Sequence, residues 1–393
     1  MKISQIEVFP LKIRKEHVYL GDTGALNTEY DYYLRPKYRC PYSKNMETLL
    51  VKVTTDEGIE GWGEALAPVI PEAAGTIVSK LFTPFLLGRD PLDIGVIWNL
   101  LYDTMRDRGY YTGFMVDAIS AVDCALWDIA GKYYRKPVYK LLGGAYRTEI
   151  PAYISGLPVE SLEDKVALAL SWQAEGFGAV KLHIGYGMHE DIEIMTALRE
   201  ALGPDMKLMI DAHWNYTVAD AIRLGRAMEA LHVEFLECPL NPEDLDGHRE
   251  LAAVLDIPIA LGESERSKWQ YKEHLMRRSC DILQPDVGRT GISEMMRIAQ
   301  LAEVFNKPVA PHLSVGQGPC IAATLQCCAA MYNFYGMQEF QPSILPVANE
   351  FLKTPLVCRN GRFELPEGFG LGIEVDEERV REFSVESEIR RGE

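Results

Sequence analysis

The sequence lacks any hydrophobic run long enough to cross a membrane. None of its 393 residues falls in an uninterrupted apolar stretch of about 18 residues, the length that a membrane-spanning helix needs. The first residues, Met1 to Ile6, also lack the apolar core of a signal peptide and alternate like an opening β-strand. We therefore expect a cytoplasmic protein that has no membrane as a partner.

Cysteine motifs are missing as well. The chain has eight cysteines, but none of them belongs to a CxxC pair. Scattered cysteines in a long chain are usually reduced and buried. The sequence therefore predicts neither a disulfide framework nor a zinc site.

Basic residues are scarce. The chain carries 40 Lys and Arg against 57 Asp and Glu, which gives a net charge of −17. Such a surface repels nucleic acid and anionic membranes, so we expect neither as a partner. An anionic small molecule is still compatible with this charge, because a metal ion and one lysine can dominate the field inside a pocket.

Two regions of the chain differ in their pattern. Up to about residue 70 the signals are strand-like, and then they become helical, which predicts a mixed α+β domain. From about residue 150 short apolar runs alternate with helical segments, which predicts parallel βαβ units closed into a (β/α)8 barrel of the TIM type. An open doubly wound sheet is the alternative, but no glycine-rich phosphate loop follows the first strand. We place the α+β capping domain at 1–130, the barrel at 131–353 and a C-terminal segment that packs on the capping domain at 354–393.

Three carboxylates end successive apolar runs. Asp211, Glu237 and Glu263 follow one another at intervals of 26 residues, which is one strand–helix unit. The carboxyl ends of barrel strands gather on one face, so acids on three neighbouring strands would converge and repel each other. A hard divalent cation relieves that repulsion, and all-oxygen ligation suits Mg²⁺, with Mn²⁺ as a substitute. Helix capping by each acid is the alternative, and it explains one such residue better than three.

Basic side chains are predicted next to these acids. Lys181 and His183 lie two residues apart on the preceding strand, so their side chains point the same way. A lysine directed into a barrel is unfavourable unless it meets an anion. His213 follows Asp211 by two residues, although a structural turn with Trp214 is the alternative for this histidine.

Further acid–base groups are predicted across the rim. Asp286 and His312 end two later strands, and Glu339 ends the last one. An aspartate beside a histidine fixes its tautomer and raises its basicity. A metal with acid–base groups around it suits removal of a proton α to a carboxylate, because metal and lysine together stabilise the enediolate that forms.

Taken together, these residues resemble the enolase superfamily and, within it, the mandelate racemase subgroup. The resemblance rests on Ala118 to Lys132 with Leu141-Leu142-Gly143-Gly144, Lys181-Leu182-His183, the three equally spaced acids, Asp286 with His312, and Glu339. Members of that superfamily use a Lys or His base with Mg²⁺ to form an enediolate, so this chemistry is carried over from the resemblance. It implies a modified, enolase-like barrel under a cap, and a homo-oligomer, with an octamer expected.

The resemblance also implies a role for each site residue. Asp211, Glu237 and Glu263 would bind one Mg²⁺ in each active site. His312, oriented by Asp286, would be a general acid–base. Lys181 would contact the carboxylate of a small-molecule substrate, and Glu339 would form a hydrogen bond to one of its oxygens.

Two departures from the family pattern favour elimination. His183 stands where the usual Lys-x-Lys motif has its catalytic lysine, and His213 resembles the third-strand general acid of galactonate-type dehydratases. Three histidines can supply both the base and the acid that loss of a β-hydroxyl requires. We expect dehydration of a sugar acid to a 2-keto-3-deoxy acid, with His312 or His183 as the base and His213 or His312 as the acid.

The substrate and some alternatives are left open. L-Lyxonate, galactonate and galactarate-like acids are candidates; a racemase, epimerase or lactone cycloisomerase with the same enediolate is the main alternative, and a non-catalytic scaffold is another. The segment from about residue 17 to 42 predicts a polar aromatic lid over the substrate, or an ordinary exposed loop, and an Arg or Lys in it could accept a second carboxylate. Its notable residues are Tyr19, Asn27, Tyr30, Tyr32, Tyr33, Arg35, Lys37, Tyr38 and Arg39.

Overall fold

The computed structural model describes residues 1–14, 17, 18, 21, 22, 30–35, 38–385 and 388–392. Its β-strands are, in chain order, β1 (Ile3–Arg14), β2 (His17–Val18), β3 (Gly21–Asp22), β4 (Tyr32–Leu34), β5 (Pro41–Ser43), β6 (Asn45–Thr55), β7 (Glu60–Ala65), β8 (Glu149–Ser155), β9 (Ala179–His183), β10 (Lys207–Asp211), β11 (Val233–Glu237), β12 (Ile259–Leu261), β13 (Ile282–Leu283), β14 (Gln338–Phe340), β15 (Cys358–Arg359), β16 (Arg362–Glu364) and β17 (Glu388–Arg391).

The helices lie mainly in the first domain and between the later strands. They are α1 (Pro71–Thr76), a π-helix (Ile77–Phe82), α2 (Thr83–Leu86), α3 (Ile94–Arg106), α4 (Phe114–Tyr134), α5 (Val138–Leu141), α6 (Leu162–Ala174), α7 (Met188–Leu202), α8 (Val218–Ala230), α9 (Leu245–Val254), α10 (Lys268–Arg277), α11 (Val287–Val304), α12 (Gly318–Ala330), α13 (Leu345–Asn349) and α14 (Glu377–Phe383). In the described part of the chain, no helix is long and apolar enough to span a membrane.

The first domain is an antiparallel sheet covered by α4. Its strand order is β17-β1-β6-β7, so the C-terminal strand returns to pair with the N-terminal one. Helix α4 packs so closely on β7 that only glycine fits at two positions there. A Cβ at Gly63 would lie 1.9 Å from the Ala121 carbonyl oxygen, and one at Gly61 would lie 2.1 Å from that of Ala125.

The second domain is a closed parallel barrel. Strands β8 to β13 pair in chain order, a short seventh segment bridges Leu283 through Val309 to Phe334, and β14 pairs with β8. Helices α6 to α12 follow the first seven strands in turn, whereas α13 after β14 has only 5 residues. The predicted modified (β/α)8 barrel with an α+β capping domain is thus confirmed.

Alternation along the strands places polar side chains at the mouth of the barrel. One buried layer fills the interior, and it includes Ala179, Met209 and Phe235. Residues two positions further along a strand point the same way. The next inward-facing residues are therefore Lys181, Asp211 and Glu237, and the barrel core leads directly into a layer of charged groups.

Candidate active site

A cavity of about 270 Å³ lies at the mouth of the barrel, beneath the first domain. Three histidines, two of the predicted metal-binding acids and a set of first-domain side chains line it. The lining includes His183, Asp211, His213, Glu263, His312, Arg289, Ser43 and Glu47.

The three predicted metal ligands surround this mouth, but they are not equally close. Carboxylate oxygens of Asp211 and Glu237 lie within 4.8 Å of each other. Glu263 stands towards the seventh strand, with Oε2 3.6 Å from His312 Nε2. Among the described residues no donor forms a hydrogen bond to the Glu263 carboxylate, so it is open to a cation.

The electrostatics of Glu237 support a divalent cation here. Lys181 Nζ lies 2.9 and 2.8 Å from its two oxygens, and Gln284 Nε2 donates to Oε2 at 2.8 Å. Even so, burial raises the pKa of Glu237 to about 8, with Asp211 and Glu263 adding to the rise against Lys181. One lysine therefore does not balance the negative charge of this mouth. The residues fit a hard cation such as Mg²⁺, which binds carboxylate oxygens.

Glu339 already has three donors around its carboxylate. Lys181 Nζ lies 3.1 Å from its Oε1, Ser155 Oγ donates to the same oxygen at 2.5 Å, and the Leu313 N–H donates to Oε2 at 2.7 Å. Burial opposes ionisation, yet Lys181 and His312 hold the pKa of Glu339 down at about 2. An ionised Glu339 would act on a substrate carboxylate through Lys181 or Ser155, and it would contact the carboxylate directly only after taking a proton.

His312 and Asp286 form a close pair. His312 Nδ1 lies 2.6 Å from Asp286 Oδ2, while Asp286 Oδ1 accepts a hydrogen bond from the Gly288 N–H at 2.7 Å. Burial lowers the pKa of His312, but Glu263, Glu339 and Asp286 more than offset this and raise it to about 10. With Nδ1 engaged, Nε2 is the atom that His312 directs towards the cavity and Glu263.

The other two histidines share the Asp211 carboxylate. His183 Nδ1 and His213 Nδ1 each lie 3.1 Å from Asp211 Oδ2, the second without hydrogen-bond geometry. His183 Nε2 also lies 3.4 Å from Ser155 Oγ. Burial lowers the pKa of His183, whereas for His213 the Asp211 charge outweighs burial and raises the pKa.

An unusual backbone aims His213 at the site. His213 and Trp214 have φ angles of 47° and 57°, in the left-handed region that bulky residues seldom adopt. The His213 N–H donates to Asp211 Oδ1 at 3.0 Å. From the first domain, the Tyr38 ring stacks on His213 with 4.3 Å between ring centroids. These contacts favour a role for His213 in the site over a purely structural turn.

All nine sequence-predicted site residues come together around the mouth, although their roles stay predictions. Sequence reasoning missed Ser155, Gln284 and Arg289 as members of the site. Ser155 ends β8 and Gln284 directly follows β13, so the strand-end rule could have found both. In the predicted lid, Tyr38 reaches the site, Tyr30 is 77% exposed, and three residues lie outside the described ones: Tyr19, Asn27 and Lys37.

Two family models match the chain. The model described as Enolase C-terminal domain-like covers residues 164–379, and the model described as Mandelate racemase / muconate lactonizing enzyme, N-terminal domain, covers 40–143. Together they cover most of the capping domain and of the barrel.

Curated relatives are enzymes that act on sugar acids or their lactones. The chain is 39% identical over 347 residues to the D-galactarolactone cycloisomerase of Agrobacterium fabrum, covering 85% of this chain and 90% of the relative. It is 35% identical over 350 residues to the arabinonate dehydratase of Saccharolobus solfataricus, covering 87% and 92%.

Solved structures agree with these matches. A member of the enolase superfamily from Agrobacterium tumefaciens superimposes with a TM-score of 0.91 at 36% identity, covering 100% of both chains. A racemase from Streptomyces coelicolor that was solved with bound magnesium has a TM-score of 0.84 at 27% identity, covering 98% of this chain and 100% of that one.

Proposed function

The chain belongs to the mandelate racemase subgroup of the enolase superfamily, and on that premise we propose that it is a Mg²⁺-dependent acid-sugar dehydratase. The observation that carries the proposal is the placement of histidines on opposite sides of the cavity. His312 belongs to the seventh barrel strand and His213 follows the third, and these two strands face each other across a closed ring of eight. The arrangement supplies a base and an acid to one bound substrate.

The reaction we propose is a β-elimination. Lys181 holds the substrate carboxylate. Glu263 contributes most to the raised pKa of His312, so with the Glu263 charge offset by a bound cation that pKa would fall and leave Nε2 unprotonated. His312 Nε2 then takes the proton from the adjacent carbon, and the electron pair of the C–H bond forms an enediolate. The C–O bond at the β-carbon then breaks, His213 gives a proton to the leaving hydroxyl, and water departs. The resulting enol becomes a 2-keto-3-deoxy acid.

Geometry supports this division of roles. Asp286 occupies Nδ1 of His312 at 2.6 Å and leaves Nε2 directed at the cavity. Both ring nitrogens of His183 have partners inside the site, namely Asp211 and Ser155. His183 is therefore placed to orient Asp211, while His312 and His213 are placed to move protons.

We also propose that Asp211, Glu237 and Glu263 hold one Mg²⁺. The under-compensated charge at Glu237 supports a cation at this mouth, and the magnesium bound by the Streptomyces racemase supports the choice of ion. When bound, the ion would polarise the substrate carboxylate and lower the free energy of the enediolate.

Turnover of a library of C4 to C6 mono- and di-acid sugars with Mg²⁺, read out as 2-keto acid formation, tests the proposal. We expect one configuration to react strongly. His312→Asn should abolish both turnover and exchange of the α-proton with D2O, whereas His213→Asn should keep exchange and lose turnover. A library without any 2-keto acid product would contradict the dehydratase assignment.

Lactone cycloisomerisation is the second candidate, because the Agrobacterium fabrum relative with that activity is 39% identical. In the monolactone of a sugar diacid whose lactone oxygen lies on the carbon β to the free carboxylate, that oxygen is an acyl oxygen, which leaves as a carboxylate and needs no proton. His213→Asn would therefore spare lactone opening and remove only dehydration. Comparing the two substrate classes with this one variant separates the candidates.

We further propose a homo-oligomer, with an octamer as the expected size. Tyr110, Tyr111 and Phe114 are exposed by 60%, 51% and 43% just before and at the start of α4, and a cluster of exposed aromatic rings is typical of a subunit contact. Light scattering of the purified protein would test this, and a monomer at micromolar concentration would contradict it.

A further inference from the structure

An arginine in the cavity wall has no hydrogen-bond or ion-pair partner among the described residues. Arg289 lines the cavity, and its Nε is buried without a hydrogen bond. Across the described ranges, no carboxylate lies within ion-pair distance of its guanidinium. Buried donors are nearly always paired, so an acceptor from outside the chain is expected at this position.

The two acidic side chains near Arg289 already have other hydrogen-bond partners. Arg266 binds Asp117 as a fork, with Nε 2.8 Å from Oδ1 and Nη2 3.2 Å from Oδ2. Asp286, three residues before Arg289, is occupied by His312 and by a backbone N–H. Burial raises the pKa of Asp117 while Arg266 and Arg289 oppose the rise, so Arg289 lies near this pair without joining it.

The position of Arg289 points to the far end of a ligand. Arg289 lies in α11, just after the sixth barrel strand, β13, and Lys181 is on the second strand, β9. In a closed ring of eight strands, the second and sixth stand opposite each other. A molecule whose carboxylate meets Lys181 therefore extends across the mouth towards Arg289.

We propose that Arg289 binds a second carboxylate at the far end of the substrate, so that the substrate is a sugar diacid or a lactone that opens to one. A guanidinium matches a carboxylate with two parallel hydrogen bonds. An acyclic diacid brings this carboxylate with it. A lactone produces it when the β-carbon–oxygen bond breaks and the bonding pair stays on the acyl oxygen. The inference rests on the proposed function and excludes sugar mono-acids as the preferred substrates.

The remaining polar side chains of the wall agree with a polyhydroxylated chain between the two carboxylates. Ser43 donates to Glu47 Oε1 at 2.5 Å, and both line the cavity opposite the barrel. Hydroxyl and carboxylate groups of this kind form hydrogen bonds with sugar hydroxyls, but they carry no positive charge to balance an anion. Of the described arginines and lysines, Arg289 alone lines the cavity, so it is the residue that distinguishes a diacid from a mono-acid.

Matched substrate pairs test the inference. The two members of a pair have the same configuration at every hydroxyl-bearing carbon, and they differ only at the far end, which is a carboxylate in one and a hydroxymethyl group in the other. The pairs are galactarate with galactonate, glucarate with gluconate, and xylarate with xylonate. For the wild type with Mg²⁺ we expect kcat/KM to favour the diacid by about 10- to 150-fold, the range for a hydrogen bond to a charged group. Arg289→Gln should remove this preference by lowering kcat/KM for the diacid alone, and Arg289→Lys should keep part of it.

Arg249→Gln is the matched control. Arg249 is 60% exposed on α9 and lies 3.7 Å from Asp246, away from the cavity. This variant should leave both members of every pair unchanged. Circular dichroism and the thermal midpoint report whether each variant is folded.

Several outcomes would overturn the inference. A wild-type enzyme with the higher kcat/KM for the mono-acid would overturn it without any variant. An Arg289→Gln variant that lowers kcat/KM for the diacid and the mono-acid by the same factor would also overturn it. If no sugar acid or lactone reacts, the proposed function fails. Calorimetric binding of galactarate and galactonate with Mg²⁺ then tests separately whether Arg289 binds a second carboxylate. Equal affinity for the two acids in that case would overturn the second-carboxylate site.

Discussion

Replacing Asp286 by asparagine tests the central pair of the site while it leaves the shape of the side chain unchanged. The amide oxygen of the Asp286→Asn variant can still accept the hydrogen bond from the Gly288 N–H, which Asp286 Oδ1 accepts at 2.7 Å in the wild type. What is lost is the negative charge 2.6 Å from His312 Nδ1. We therefore expect a folded protein with a thermal midpoint close to that of the wild type and a defective base.

The size of the defect follows from the contact. A hydrogen bond to a charged group contributes about 1.5–3 kcal/mol, which corresponds to about 10- to 150-fold in rate. An amide can also donate to His312 Nδ1 and so place the ring proton on Nε2, the wrong tautomer for a base. General acid–base catalysis as a whole supplies about 10²–10⁴-fold. We expect kcat for Asp286→Asn to fall by at least the loss of this contact and at most the whole acid–base contribution, about 10- to 10⁴-fold.

Two assays locate the defect. Exchange of the substrate α-proton with D2O, followed by NMR, reports His312 directly, and 2-keto acid formation reports the whole reaction. Both should fall together, and the acidic limb of the kcat profile should move to lower pH, because loss of the Asp286 charge lowers the pKa of His312. A variant with kcat within threefold of the wild type, or one that keeps full exchange, would refute His312 as the base.

Three further predictions concern the metal, the cap and a buried acid. Glu263→Gln should weaken Mg²⁺ binding: at a Mg²⁺ concentration of 100 Kd the ion stabilises the wild type by about 2.7 kcal/mol, but by only about 0.4 kcal/mol if Kd rises 100-fold. Equal shifts of the thermal midpoint by Mg²⁺ in the two proteins would contradict this. Tyr38→Ala should lower kcat/KM about 2- to 12-fold, because an aromatic pair contributes about 0.5–1.5 kcal/mol and the ring of Tyr38 stacks on His213. Tyr38→Phe keeps the ring and should behave like the wild type, and the idea fails if the two variants are equally impaired. Burial raises the pKa of Asp123 from 3.8 to about 6, so the wild type loses about 3 kcal/mol of stability as pH rises through this interval. Asp123→Asn does not titrate in this range. The thermal midpoint of the variant minus that of the wild type should therefore increase from pH 3.8 to about pH 6 and then level off. A difference that does not change with pH would contradict the raised pKa of Asp123.

The three acids at the mouth could be predicted because the geometry of a barrel fixes the spacing of strand-end residues in the sequence. Asp211 and Glu237 end buried strands, Glu263 follows one by two residues, and their equal spacing reflects one strand–helix unit. The same strand-end position marks Asp286 and His312, which the structure brings to 2.6 Å. Alternation along a strand is enough to put such residues on one face, so no knowledge of contacts is needed.

Other features depend on contacts that no local pattern encodes. Tyr38 reaches His213 from a different domain. Whether Arg289 is paired depends on where Arg266 points, and the sequence does not say that Arg266 takes Asp117. The orientation of His213 depends on a φ angle of 47°, which a histidine seldom adopts and which its sequence neighbours do not predict.

The charge balance at the mouth of the barrel explains why the site residues could be predicted from the sequence. Lys181 Nζ is shared between Glu237 and Glu339, at 2.8 and 3.1 Å, so one cation serves two buried carboxylates. Buried carboxylates without full compensation destabilise a fold, and an apolar barrel core would be more stable. Strand ends that carry such residues in series are therefore better explained by a bound cation and an anionic substrate than by folding. The same reasoning applies to Arg289, which is the one cation in the described cavity wall that the protein leaves unpaired.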